Sequence, residues 1–140
     1  MAKRPTVVDL TWTHDLVLAG VSDKASMTLD SSGVEGPSPV QALAFALAGC
    51  MTMDVVYILT KGRHSFRAVR SHLVAERAQE DPHRLVRMAF HITVEGDVPP
   101  DAVARAITLS GEKYCSVWHS MRQDIEFTTS HEVRGRESFS

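Results

Sequence analysis

Hydrophobic and polar positions change rhythm along the chain. Over residues 6–13 they alternate, with Val8, Leu10 and Trp12 on one side and Asp9, Thr11 and Thr13 on the other. That is the period of a half-buried strand. His14-Asp15 reads as a turn into a second strand that starts at Leu16-Val17-Leu18, residues 20–24 as a loop, and residues 25–29 as a third short strand. A Ser/Gly/Pro loop at residues 30–37 then leads into an apolar run over residues 40–59, in which only Gln41, Thr52 and Asp54 are clearly polar. Its Ala and Leu content predicts one long helix. Ser38 is the expected N-cap, Pro39 the first helical residue, and Gln41 the partner that reaches back to the Ser38 amide. Lys61, Arg63 and His64 suit the C-terminus, and Gly62 permits the stop.

A helix apolar nearly all round must be buried on most sides. About 21 residues at ~1.5 Å each would reach ~31 Å, enough to cross a bilayer. Against a membrane span, Asp54 lies inside the run, Ala-rich stretches insert weakly, no second such run exists, and it begins too far from the N-terminus for a signal sequence. The run therefore reads as a core helix, and a chain of 140 residues would be stretched to wrap it alone. Burial between two subunits of a homodimer is expected.

Beyond the helix, Val69, Leu73 and Ala75 share a strand face with Ser71, while Arg70, His72 and Glu76 lie opposite. A polar turn at residues 79–83 precedes the clearest strand in the chain: Val86, Met88, Phe90, Ile92 and Val94 alternate with Arg87, Ala89, His91, Thr93 and Glu95. The two runs predict an antiparallel hairpin with one wet face. Pro99-Pro100-Asp101 opens a second helix from Ala102 to about Ser110, which Gly111 breaks or weakens. Residues 114–121 read as a short further helix, Ile125, Phe127 and Thr129 as a last strand, and residues 134–140 as a frayed tail. Strands, long helix, hairpin, helices and strand make an α+β fold rather than a βαβ series. The long helix is expected to pack on an antiparallel sheet.

Length fits a single domain spanning residues 1–140. A net charge of −2 with no basic run leaves nucleic-acid binding without an electrostatic footprint. Two cysteines and no signal peptide point to a reducing, cytoplasmic setting.

Those cysteines are the candidate chemistry. Cys50 sits mid-helix, with Asp54 one turn on along the same face. A carboxylate there raises a thiol pKa unless a cation offsets it. His14, Lys113, His119 and Arg122 are the cations that would serve, from this chain or a partner subunit. A packed thiol is the commoner fate of a free Cys, and from Cys50 alone that reading is favoured. Cys115 is expected to open a short helix, where the dipole favours a thiolate, with His119 one turn on. Two cysteines some 65 positions apart allow a disulfide without showing one. The seven histidines have no metal-ligand spacing, and no phosphate loop or Ser nucleophile elbow is present. A Cys/His metal site built from Cys50, Cys115 and two histidines is conceivable but has no local motif behind it, and no metal or cofactor is expected.

Gly36-Pro37-Ser38-Pro39, Ala48-Gly49-Cys50, Asp54-Val55-Val56, Lys61-Gly62-Arg63 and Glu112-Lys113-Tyr114-Cys115-Ser116-Val117 together resemble the OsmC/Ohr family, and its YhfA-like branch most. The resemblance covers residues 6–133. It implies an OsmC-like fold: an intertwined α+β homodimer with two central helices sandwiched by sheets from both chains. It also implies an activity, thiol-dependent reduction of organic hydroperoxides. The cysteine matching Cys50 attacks the peroxide and becomes a sulfenic acid. The one matching Cys115 condenses with it to a disulfide, and an external thiol or dithiol reductant restores both, without metal or flavin. In the peroxidase branches an Arg from an N-terminal loop and a Glu near the start of the long helix bracket the reactive Cys. Here residues 12–20 hold no Arg, with His14 the one potential cation, and the Glu position falls at Val40 beside Gln41. The resemblance therefore carries over Cys50 and Cys115 as site residues and no activating pair. The alternative is a weakly active or non-catalytic dimer that holds a small hydrophobic or electrophilic ligand at the subunit interface near Phe45, Met51 and Met53. A thiol-based sensor or repair protein is a third reading, inseparable from the first by sequence.

Overall fold

The structure is a computed structural model and describes residues 3–135. The chain divides into two compact units, Met1–Phe45 and Ala46–Ser140, with the boundary inside the long helix.

The first unit is an antiparallel meander of β1 (Asp9–His14), β2 (Val17–Ser22) and β3 (Ala25–Asp30). Asp15 and Asp23 take positive φ at its two tight turns, a region Asp tolerates. The expected loop at residues 20–24 is shorter than its composition suggests. Gly20, Val21 and Ser22 stay in register with Met27, Ser26 and Ala25. The expected half-burial of β1 is not met either. All six of its residues are exposed, and Val8, Leu10, Trp12, Val21 and Met27 present apolar surface that this chain leaves open. Alternation reports that one face wants cover, not whether the same chain supplies it. The loop after β3 is held by Asp30, whose Oδ1 accepts from the Ser32 amide at 2.9 Å and whose Oδ2 accepts from the Glu35 amide at 3.0 Å. Those bonds, the Glu35 one foremost, hold its carboxyl at a pKa of about 2. Gly36 sits where this loop crosses β3. A Cβ there would lie 2.1 Å from the Thr28 carbonyl oxygen.

The long helix α1 runs Pro39–Lys61. Its start is as the sequence implies: Ser38 Oγ accepts from the Gln41 amide at 3.2 Å, and Gln41 Oε1 accepts from the Ser38 amide at 2.9 Å, a closed capping box. Its end differs in detail. Arg63, not Gly62, takes the left-handed conformation (φ 61°). The Arg63 amide then bonds the Thr60 carbonyl and the His64 amide the Leu59 carbonyl, the paired bonds of a Schellman stop. Leu47, Met51, Val55 and Leu59 form the buried row of α1 at four-residue spacing. The rest is half-buried or exposed, and Phe45, Met53 and Tyr57 are 70%, 73% and 62% exposed. By length and composition α1 passes for a membrane span, and only 22% of its most apolar stretch is buried within the chain.

The second unit holds a sheet in the order β4-β5-β6, with β4 (Ser65–Arg77), β5 (Leu85–Asp97) and β6 (Glu126–Arg134). Met88, Phe90, Ile92 and Val94 of central β5 are buried, the alternation read from sequence. The opposite face is drier than expected. Thr93 and Glu95 are also buried, with Glu95 ion-paired to Arg70 on β4. The expectation of a fully antiparallel sheet is corrected here. β4 and β5 are antiparallel, but β6 runs parallel to β5, placing Thr129 beside Phe90. A parallel neighbour requires a crossover connection, and α2 (Pro100–Leu109), a π-helical segment Ser110–Tyr114 and α3 (Ser116–His119) supply it. The last strand runs on to Arg134, and the expected tail beyond Gly135 lies outside the described residues.

Candidate functional site

Cys50 and Asp54 project from consecutive turns of α1. Thr52 between them donates its hydroxyl proton to Ala48 O at 2.6 Å, and its oxygen can accept from the Ser71 hydroxyl of β4 at 2.9 Å, which ties this part of the helix to the sheet. Cys115 reaches the same place by a different route. Gly111 does not end α2. The chain widens there into a π turn, in which the Cys115 amide bonds the Ser110 carbonyl five residues back at 2.8 Å. An extra residue in the turn rotates the downstream segment about the helix axis, and such insertions recur at functional sites. The widened turn directs the buried Ser110 hydroxyl onto Asp54 Oδ2 at 2.8 Å. It also delivers Cys115 as the N-cap of α3, its Sγ accepting from the Trp118 amide at 3.3 Å. Behind it Trp118 stacks on Phe127 of β6 with ring centroids 4.8 Å apart, and Phe127 on Phe90 at 6.5 Å. The aromatic column anchors α3, and through it Cys115, to the sheet.

Cys50 Sγ, Cys115 Sγ and a carboxylate oxygen of Asp54 thus all lie within 4.8 Å of one another. Both thiols are free. They differ in access: Cys115 is fully buried, Cys50 only partly. Burial pushes the Cys115 thiol up to about 11. The Trp118 amide opposes that shift, while Cys50 and Asp54 add to it. The expected lowering by a helix dipole is therefore reversed. α3 is four residues long and offers one amide, too little to offset the lost hydration.

The four cations considered from sequence go elsewhere. Arg122 is held bidentate by Asp124 at 2.8 and 2.5 Å, and His14 pairs with Glu35 at 2.9 Å in the first unit. Lys113 and His119 are exposed. Among the described residues none of the four hydrogen-bonds either thiol. Ser110 is the site residue that sequence reasoning missed as a partner of Asp54. Its signal is conformational, a π turn that no residue pattern announces.

Comparison with known proteins places these features. The profile of the family described as OsmC-like protein matches residues 30–130. The chain is 38% identical over 125 residues to Protein YhfA of Escherichia coli K12, covering 87% of this chain and 93% of that one. Its fold superposes on a hypothetical protein from Aquifex aeolicus with a TM-score of 0.88 at 24% identity, covering 96% and 99% of the two chains. It also superposes on an organic hydroperoxide resistance protein OsmC from Legionella pneumophila, with a TM-score of 0.71 at 12% identity and coverage of 95% and 100%.

Proposed function

Since the chain belongs to the OsmC-like protein family, we propose that it is a thiol-dependent peroxidase acting on organic hydroperoxides, with Cys50 as the attacking thiol and Cys115 as the resolving one. The observation that carries this is the convergence of two free thiols from distant parts of the chain within 4.8 Å. The division of labour rests on access and acidity. A nucleophile must meet its substrate as thiolate. Cys115 is buried with its thiol held up near 11, so it is unsuited to the first step, whereas Cys50 is partly open. Attack of the Cys50 sulfur on the peroxide oxygen releases an alcohol and leaves a sulfenic acid. Cys115 then displaces water from it and forms the disulfide. Two electrons pass from the thiol pair to the peroxide. An external thiol or dithiol returns them, and no resident cofactor takes part.

The working unit in this reading is a homodimer in the cytoplasm. Its support is the apolar surface left open on β1–β3 and on the Met53–Tyr57 face of α1. Contiguous exposed apolar surface of this kind marks an interaction face. OsmC-like proteins have a soluble fold, so that surface is assigned to burial against a second copy rather than against lipid. A partner copy would also be the source of any cation that activates Cys50.

The test is consumption of cumene hydroperoxide by the parent and Cys50→Ser with dithiothreitol present, and by pre-reduced Cys115→Ser with the dithiothreitol removed. Loss of turnover in Cys50→Ser, and a single turnover ending in a stable sulfenic or mixed species in Cys115→Ser, are expected. Turnover by Cys50→Ser equal to the parent would overturn the assignment.

A further inference from the structure

Asp54 has no part in the peroxide chemistry, yet it completes a compact donor set with the two thiols. Cys50 Sγ, Cys115 Sγ and one Asp54 oxygen lie within 4.8 Å of one another. In a tetrahedral site with metal–sulfur bonds of about 2.3 Å and metal–oxygen bonds of about 2.0–2.2 Å, ligand atoms stand roughly 3.5–3.8 Å apart. A contraction of at most about 1.0–1.3 Å would bring these three to that spacing. The donors are also oriented from outside. The buried Ser110 hydroxyl donates to Asp54 Oδ2, and the Trp118 amide points at Cys115 Sγ. Outer bonds of this kind fix the direction of metal ligands. Among the described residues no cationic side chain hydrogen-bonds to either thiol or to Asp54.

We propose that the reduced protein binds one thiophilic divalent cation of the Zn²⁺ type through Cys50 Sγ, Cys115 Sγ and Asp54, with a fourth position open to water. Two thiolates select such an ion over Mg²⁺ or Ca²⁺, which take oxygen ligands. Binding releases the two thiol protons to solvent and transfers no electrons. The bound ion occupies the sulfur lone pairs that peroxide attack and disulfide formation need, so metal and peroxide compete for one pair of thiols. That competition rests on the peroxidase reading, whereas the binding site itself does not. Disulfide formation in turn removes both sulfur ligands.

The experiment titrates Zn²⁺ into tag-free, dithiothreitol-reduced and desalted protein against a chromophoric chelator, with no peroxide present. Co²⁺ is titrated in parallel to read the sulfur-to-metal charge-transfer band. One ion per protomer and a thiolate band are expected from the reduced parent. No uptake is expected from Cys50→Ser, from Cys115→Ser, or from protein oxidised to the disulfide with diamide. Asp54→Asn and Ser110→Ala keep both thiols and guard against misfolding of the cysteine variants. Ser110→Ala should weaken binding by about 10–100-fold, the usual cost of removing an outer-shell partner, with the parent's circular dichroism retained. The proposal is overturned if the reduced parent takes up no ion. It is equally overturned if the affinity is unchanged in Asp54→Asn or in the oxidised protein. Because peroxide is absent, failure of the peroxidase reading leaves this result untouched, and the reverse holds as well.

Discussion

Oxidising the thiol pair should stabilise the fold by a calculable amount. A Cys50–Cys115 bond would close a loop of some 65 residues. Chain-entropy bookkeeping assigns about 4 kcal/mol to a loop of that size. Against this stands the movement required, since the sulfurs are within 4.8 Å and a disulfide needs about 2.05 Å. Turning both side chains off their rotamers costs about 0.5–1.5 kcal/mol each. The net expectation is about 1–3 kcal/mol in favour of the oxidised protein. The assay is urea unfolding of diamide-oxidised and dithiothreitol-reduced protein at one protomer concentration, with a chelator present. The concentration must be held because the association of the proposed dimer would contribute to apparent stability. Free energies should be compared rather than midpoints, since a cross-linked unfolded chain also changes the slope. By the thermodynamic cycle, whatever the disulfide adds to folding, folding adds to the disulfide. About 1.4 kcal/mol corresponds to ~30 mV for a two-electron couple. Oxidised protein that proves no more stable than reduced protein would show that joining these thiols distorts the fold by more than the loop term returns, and Cys115 would be disqualified as the resolving partner within one chain.

Alkylation should discriminate the two thiols. In reduced protein iodoacetamide labels Cys50 before Cys115 at neutral pH, and labelling of Cys115 climbs about tenfold per pH unit until its pKa near 11. Peptide mass spectrometry reads both rates, and faster labelling of Cys115 at neutral pH would reverse the roles. The dimer is testable through α1: Met53→Glu combined with Tyr57→Glu puts two charges on its exposed apolar face. Buried interface anchors commonly cost ~2 kcal/mol or more when removed, so the pair should lower dimer affinity about 10³-fold or more. Light scattering at micromolar concentration reads this, and a parent protein that is already a folded monomer would refute it.

The local devices are legible because they depend on near neighbours. Ser38, Pro39 and Gln41 specify the start of α1 whatever surrounds them, and the alternation of Met88, Phe90, Ile92 and Val94 marks β5 as a buried strand. Direction and cover are not legible. Ile125, Phe127 and Thr129 alternate identically in a parallel or an antiparallel strand, and only the intervening helices make β6 parallel to β5. Val8, Leu10 and Trp12 signal an apolar face without saying that this chain leaves it open. At the site, the family resemblance supplies Cys50 and Cys115, and the fold brings them together. The role of Ser110 depends on a π turn at Gly111, where composition suggests a helix end. The direction of the Cys115 shift escapes the sequence for a related reason. A helix N-terminus is favourable to a thiolate only when burial does not outweigh its single amide.

The most direct test of the peroxidase reading is intact and peptide mass spectrometry of the reduced parent after substoichiometric cumene hydroperoxide, with hydrogen peroxide run in parallel and the reaction quenched over time. Rapid loss of two protons with a linked Cys50–Cys115 peptide, faster with the organic peroxide, is the predicted result. Two free thiols that survive the treatment would contradict it.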